Sequence, residues 1–341
     1  MTRRAVVIGG TGQIGRAIAE DLLAADWRVC VTHRGVRTAP ASLIARGAQV
    51  IALDRDEPAA LQRALGCGAD ALIDTSAYDL GHAQQLIGVQ DCIGSIVVIS
   101  SSSVYRDAAG RTLDEARQNG FPYFSAPIRE TQKTVDPGPE TYSTRKMALE
   151  RHLLDTAKVP VAILRPCAVY GPGSGHPREW WFVKRMVDGR RAIPLAFRGA
   201  SRFHTTSVLN IASLVRTTLE NPGQRVLNIA DPVALTVSEI ATSIGRHLKY
   251  EGRFIELNDP AELTLLGRTP WSVPRPFTLD CSSARELGYK PVAHYPDAVG
   301  AVCRWLVETA SIGDWKRRFP TLAGYPWDLF DYMAEERFFN A

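Results

Sequence analysis

No stretch of about 18 consecutive apolar residues occurs in this 341-residue chain, so no membrane-spanning helix is expected. Basic residues nowhere run to four in a row, and 40 basic against 36 acidic side chains leave a net charge of +4. That balance is too mild and too evenly spread for a nucleic-acid footprint. The cysteines Cys30, Cys67, Cys92, Cys167, Cys281 and Cys303 include no C-x-x-C pair, and the histidines are equally dispersed. This argues against a metal site and against a disulfide framework. It suits reduced thiols, mostly in the core, of a cytoplasmic protein. No signal peptide is expected either: the apolar run behind "MTRR" is short and leads into "TGQIG", not a cleavage site. Internal repeats and low-complexity segments are also missing.

What the chain does have is alternation. Hydrophobic residues make up 45%, enough for a sizeable core in one large domain or a main domain with a lobe. Strands are expected at Ala5–Ile8, Arg28–Thr32, Val50–Leu53, Ala71–Asp74, Ile96–Ser100 and Val161–Leu164, with a helix at Gln13–Leu23. Strand–helix–strand order of this kind implies an α/β fold with a doubly wound parallel sheet. After about residue 170 the texture changes. Gly171 to Pro177 read as a loop, Thr236 to Glu239 as a capping box opening a helix through about Leu248, and 297–308 as another helix. The expected division is a main domain over 1–170, a smaller lobe over 171–308 interleaved with the end of the sheet, and an extension over 309–341. That extension holds Trp315, Phe319, Tyr325, Trp327, Phe330, Tyr332, Phe338 and Phe339, too many aromatics for a disordered tail. It is expected to dock on its own domain, with a pocket lid or a subunit contact as alternatives.

"AVVIGGTGQIGRAIAEDLL" places Gly9, Gly12 and Gly15 between the first strand and the first helix. Glycines there permit a tight turn and let backbone N–H groups approach a pyrophosphate at a helix N-terminus. An NAD site commonly has an acid about 20 residues further on. Here the second strand is followed by Arg34, with Arg37 beyond, and no acid. A guanidinium fork suits a 2′-phosphate, so NADP is the expected cofactor, with NAD as the alternative and Arg34 then a solvated charge. Asp54, after the third strand, could reach an adenine amine or simply cap a helix.

Four serines, Ser100 to Ser103, follow the fifth strand at the edge that faces the ligand crevice in parallel sheets. Tyr142 and Lys146, in "YSTRK", stand four apart on one helix face and can both face a nicotinamide ribose. A tyrosine of pKa ~10 is a sluggish acid or base near neutrality, and a fixed ammonium lowers that value. Ser101 would hydrogen-bond the same substrate oxygen.

Taken together, "GGTGQIG", "ISSSSVY", "YSTRK", "ILRPCAVYGPG", "VLNIADPVALTVSEIA" and "ARELGYKP" resemble the extended short-chain dehydrogenase/reductases, the epimerase/dehydratase branch, over roughly residues 3–308. The resemblance implies a Rossmann-like domain with a C-terminal substrate-binding lobe. It implies Ser101, Tyr142 and Lys146 as the catalytic set. Gly9, Thr11, Gly12, Gln13, Ile14 and Gly15 would form the phosphate turn, and Pro166 to Ala168 would border the nicotinamide.

The departures matter. Nucleotide-sugar dehydratases carry Asp-Glu after the catalytic threonine, where Ser102-Ser103 stand here. Sugar-nucleotide epimerases often have an asparagine where this chain has Ala168, and the lobe motif around Arg202 is only loosely kept. Ser102, Ser103, His176, Trp180, Trp181 and Arg202 are candidate substrate contacts, though the tryptophans suit lobe packing equally well. Arg185, Arg190 and Arg191 read as a solvated helix end. The leading expectation is a reductase or dehydrogenase of a small polar, in one form sugar-like, molecule. An epimerase with a resident cofactor is second, and a non-catalytic dinucleotide sensor or RNA-associated relative third. A homodimer is a candidate assembly.

Overall fold

The structure is a computed structural model that describes residues 2–35, 39–57, 59–258, 265–310 and 313–340. The chain forms two compact units, each built from separated stretches. The first comprises Met1–Cys167, Val208–Ala230 and Leu279–Val292.

Seven strands make its sheet: β1 (Arg4–Ile8), β2 (Arg28–His33), β3 (Gln49–Ala52), β4 (Ala71–Asp74), β5 (Ile96–Ile99), β6 (Val161–Pro166) and β7 (Arg225–Ile229). Their spatial order is β7-β6-β5-β4-β1-β2-β3. Every pairing is parallel, with Val6 opposite Cys30 on one side and Leu72 on the other. Six strands are where the sequence places them. The seventh, "RVLNI", appears in the sequence reading only inside a family motif.

The central strands are nearly continuous in apolar residues because both faces are covered, as parallel sheets require. Val6, Leu72, Ile96, Val98, Leu149, Leu153, Val161 and Ile163 share one core. The chief flanking helices are α1 (Gln13–Ala24), α2 (Leu80–Ile87), α3 (Tyr142–Thr156) and α4 (Val208–Glu220). Arg216 on α4 donates to Asp21 on α1 at 2.8 Å. The strand order reverses direction between β1 and β4, the topological switch point where open sheets of this kind take ligands.

The second unit comprises Ala168–Ser207, Asp231–Thr278 and Ala293–Ala341. It holds two short parallel strand pairs, Ala168–Tyr170 with Thr205–Ser207 and Ala192–Leu195 with Arg253–Glu256. The helix Val237–Leu248 opens on the expected capping box, Thr236 and Glu239 satisfying each other's backbone N–H groups. The aromatic extension is packed: Phe319, Leu322 and Leu329 are buried in one core with Trp180, Trp181 and Phe182. The expected solvated helix end is corrected here. Arg185 is buried, its guanidinium bound to the Glu335 carboxylate at 2.6 Å and to the Leu329 carbonyl at 2.8 Å. Its partner lies 150 residues away, beyond what local pattern can reveal. Among the described residues, no helix is long and apolar enough to cross a membrane.

Candidate active site

The turn after β1 is made by backbone demands. Gly9 has φ of +74°, a left-handed conformation that suits glycine, and its carbonyl accepts the Gly12 N–H at 2.9 Å. A Cβ at Gly15 would sit 2.4 Å from the Gly9 carbonyl oxygen and 2.7 Å from Gly10 Cα, so α1 can approach β1 only without a side chain there. Gly12 caps α1 with no side chain on the N-terminal N–H groups and no acid in the first turn. That leaves a backbone site of positive character. Nearby in sequence, the Gln13 amide nitrogen is buried without a hydrogen-bond partner. An open helix end, a cradle a Cβ would fill and an unmatched donor all fit a dinucleotide pyrophosphate. Thr11 and Ile14 belong to the same turn and first turn of α1.

Arg34 is exposed just beyond β2, and no acid stands beside it in the described chain. Arg37 lies outside the described residues. Asp54 is exposed after β3, where its carboxylate accepts the Asp56 N–H at 3.1 Å. Pro166 ends β6, and Ala168 is buried at the start of the next strand.

Tyr142 and Lys146 lie on α3, which opens on its own capping box between Thr141 and Thr144. Tyr142 is 41% exposed, whereas Lys146 is buried. The Lys146 ammonium donates to the carbonyls of Ala77 at 2.5 Å and Ile99 at 3.0 Å, and lies 5.7 Å from the Tyr142 ring centre. Burial lowers its pKa to about 8, opposed chiefly by the carboxylates of Asp74 and Glu150. Crowding of the hydroxyl raises the Tyr142 phenol above its ordinary value. A hydrogen bond with Ser101 pulls the other way, and the Asp114 carboxylate adds to the rise. The sequence expectation of a lowered phenol therefore meets a correction: desolvation outweighs the favourable contact, and the lysine's hydrogen bonds go to two carbonyls.

Ser101 Oγ accepts the Ser103 N–H at 3.1 Å. Ser102 is buried, and Ser103 Oγ bonds Ser143 Oγ at 2.9 Å, which ties the serine loop to the first turn of α3. The structure thus gathers Ser101, Tyr142 and Lys146 in the first unit, at the strand edge that carries the glycine turn.

The other candidates belong to the second unit. Trp180 and Trp181 are buried at 3% and 1% exposure, in keeping with lobe packing rather than an open apolar wall. His176 Nε2 lies 3.0 Å from the Tyr325 hydroxyl, and burial lowers its pKa to about 3. Arg202 is engaged by the Ala234 carbonyl and, at 3.6 Å, by Glu239. Sequence reasoning missed a buried ion pair beside Lys146, Arg55 with Asp74. The only hint was a charged residue ending an otherwise apolar β4.

Residues 5–230 match the model of the NAD dependent epimerase/dehydratase family. Among curated proteins, 2′-dehydrokanamycin reductase of Streptomyces kanamyceticus is 30% identical over 150 residues, 44% of this chain and 37% of the relative. The match therefore spans well under half of that relative's length. Among solved structures, a UDP-glucose 4-epimerase of Stenotrophomonas maltophila, with bound NAD and formylated UDP-arabinopyranose, superposes with a TM-score of 0.70. Identity there is 18%, over 91% of this chain and 100% of the other. The UDP-glucose 4-epimerase of Thermotoga maritima with UDP-glucose gives 0.68 at 15% identity, over 90% and 99% of the two chains. These structural likenesses establish the fold.

Proposed function

Because the chain belongs to the NAD dependent epimerase/dehydratase family, we propose that it is an NADP-dependent oxidoreductase that reduces a ketone, or oxidises the matching hydroxyl, on a small polar, sugar-like molecule. The observation that carries this reading is the placing of Tyr142 and Lys146 on one helix face, the Lys146 ammonium buried against the end of β5, with Ser101 facing the phenol. Arg34 in place of an acid after β2 supports NADP over NAD. The name of the Streptomyces kanamyceticus relative, a reductase acting on 2′-dehydrokanamycin, supports the direction and the sugar-like substrate.

The backbone of Gly9 to Gly15 would hold the pyrophosphate, Arg34 the 2′-phosphate, and Asp54 the adenine. When bound, the cofactor supplies or accepts the hydride. In the reducing direction Tyr142 gives its proton to the substrate oxygen, so the carbonyl gains one hydride and one proton and becomes a hydroxyl. A raised phenol pKa keeps that proton in place until charge develops on the oxygen. Ser101 donates a hydrogen bond to the same oxygen, and the Lys146 ammonium stabilises the phenolate left behind. Solvent then reprotonates Tyr142, whose ring is open to it.

One observation favours a second reading. Some of the solved structures that superpose are UDP-sugar epimerases with bound NAD, and an epimerase with a resident cofactor would use the same tyrosine and lysine. The engaged Arg202 and Ala168 in place of asparagine weigh against a diphospho-sugar. The two readings separate when the purified protein is denatured and any released nucleotide identified. NAD⁺ recovered near one per chain favours the epimerase. An empty protein that prefers NADPH and reduces a ketone supports the reductase. NADPH binding with no turnover on any carbonyl panel overturns the reductase.

A further inference from the structure

Two charged side chains, Arg55 and Asp74, lie buried beside Lys146 at 8% and 0% exposure. Arg55 follows β3, and Asp74 ends β4. Arg55 Nη1 donates to Asp74 Oδ2 at 2.7 Å and to Ser76 Oγ at 3.4 Å, while its Nε donates to Gln85 Oε1 on α2 at 2.8 Å. The second oxygen of Asp74 accepts the Ser76 N–H at 2.8 Å and its hydroxyl at 3.1 Å. Asp74 therefore closes the short turn that runs on to Ala77, the residue whose carbonyl receives the Lys146 ammonium. The same turn touches the glycine loop, since a Cβ at Gly9 would lie 2.7 Å from Thr75 Oγ1.

A buried ion pair is an expensive way to hold a turn, because both charges lose water and the geometry must recover the loss. What an ion pair adds over an apolar strap is charge at a chosen place. The groups facing Lys146 come from four elements. Asp74 stands on β4, Glu150 on α3, Asp79 at the cap of α2 and Arg55 after β3. The Tyr142 ring lies on the same helix face. Glu150 is already clamped by Arg165 through both carboxylate oxygens, so its charge is largely answered elsewhere. That leaves Asp74 as the principal carboxylate supporting the ammonium, with Arg55 opposing it.

We propose that the Arg55–Asp74 pair is a positioning device for Lys146: Asp74 supports the ammonium through the turn and by its charge, and Arg55 holds part of that charge back. The proposal rests on the reading that Lys146 serves the cofactor and Tyr142. Neutralising the two members then has opposite consequences. Without Asp74 the ammonium loses its main support. Without Arg55 the full charge of Asp74 becomes available to it. A strap that is only structural would loosen the same turn in both cases.

The test is NADPH affinity, followed by nucleotide fluorescence from about pH 7 to about pH 10, in the Tyr142→Phe background so that the phenol does not contribute. Affinity should fall as Lys146 loses its proton. Asp74→Asn should move that fall down by about one pH unit, and Arg55→Met should move it up by about as much. Ser76→Ala keeps both charges and should weaken binding at every pH without moving the fall. Movements in the same direction, or none, overturn the proposal. Should Asp74→Asn not fold, Arg55→Met decides alone: an upward movement supports the proposal, and anything else overturns it. Lys146→Met checks the underlying reading separately. It should abolish the fall, and a fall that survives this change overturns the role of Lys146 itself.

Discussion

Lys146 holds its ammonium 5.7 Å from the ring centre of Tyr142, one helical turn away, with its hydrogen bonds spent on carbonyls from the turn after β4 and the end of β5. The two side chains are neighbours without being a hydrogen-bonded pair. Their roles are therefore separable by mutation.

Tyr142→Phe removes the proton and leaves the ring. Activity should fall ~10²–10⁴-fold, the usual contribution of a general acid or base, while cofactor affinity changes little. Steady-state rates on a reducible ketone, alongside a nucleotide titration, check both halves. Near wild-type turnover would remove Tyr142 from the mechanism.

Arg34→Ala should erase a preference for NADPH while leaving NADH affinity nearly unchanged. A charge-assisted hydrogen bond contributes about 1.5–3 kcal/mol, so the loss should be roughly 10- to 100-fold for NADPH. Parallel titrations with the two nucleotides read the ratio directly, and an unaltered ratio would place the 2′-phosphate elsewhere.

Glu179 supplies a pH-dependent prediction. Burial raises its carboxyl from 4.5 to about 7, with the Tyr295 hydroxyl 3.4 Å away. A raised acid binds its proton more tightly in the folded state. Its share of stability is therefore fully present below the unfolded value and is lost as pH rises through about 7. Glu179→Gln should leave the melting temperature nearly unchanged at pH 5 and raise it at pH 8, for a gain in stability of a few kcal/mol at most. Equal effects at the two pH values would show that Glu179 ionises normally.

The Arg185–Glu335 pair makes a claim about the C-terminal extension. Arg185→Met leaves a carboxylate buried at 1% exposure without its partner and should cost about 3–5 kcal/mol. Changing both residues, Arg185→Met with Glu335→Leu, should cost much less. Chemical denaturation of the two variants compares them. Equal losses would mean that packing, not charge, fixes the helix Tyr332–Asn340 in place.

What could be read from the sequence was what the chain encodes locally. The apolar runs of β1 to β6, the glycine turn, the capping box at Thr236 and the Tyr142–Lys146 spacing all express short-range demands on backbone and helix face. The α3 capping box itself was overlooked because its third position is a threonine rather than an acid or amide. Arg55 and Asp74 stand 19 residues apart, and Arg185 and Glu335 stand 150 apart. No periodicity links such residues, so Arg185 reads as solvated in the sequence and the Arg55–Asp74 pair does not show there at all. Trp180 and Trp181 stay open between pocket wall and lobe packing at the level of sequence for the opposite reason. Large aromatics beside a loop look the same in sequence whether they line a pocket or fill a core.

The first unit takes its edge strand from Arg225–Ile229 and its last stretch from Leu279–Val292. A chain leaving the ribosome therefore cannot complete its nucleotide-binding unit until nearly all of it has emerged. Until Arg225–Ile229 arrives, β6 stands as an open edge, apolar from Val161 to Leu164, with backbone groups ready to pair with another chain. A fragment cut near residue 170 would carry every proposed catalytic group and still keep that edge. It should be recovered as aggregate rather than as a working half.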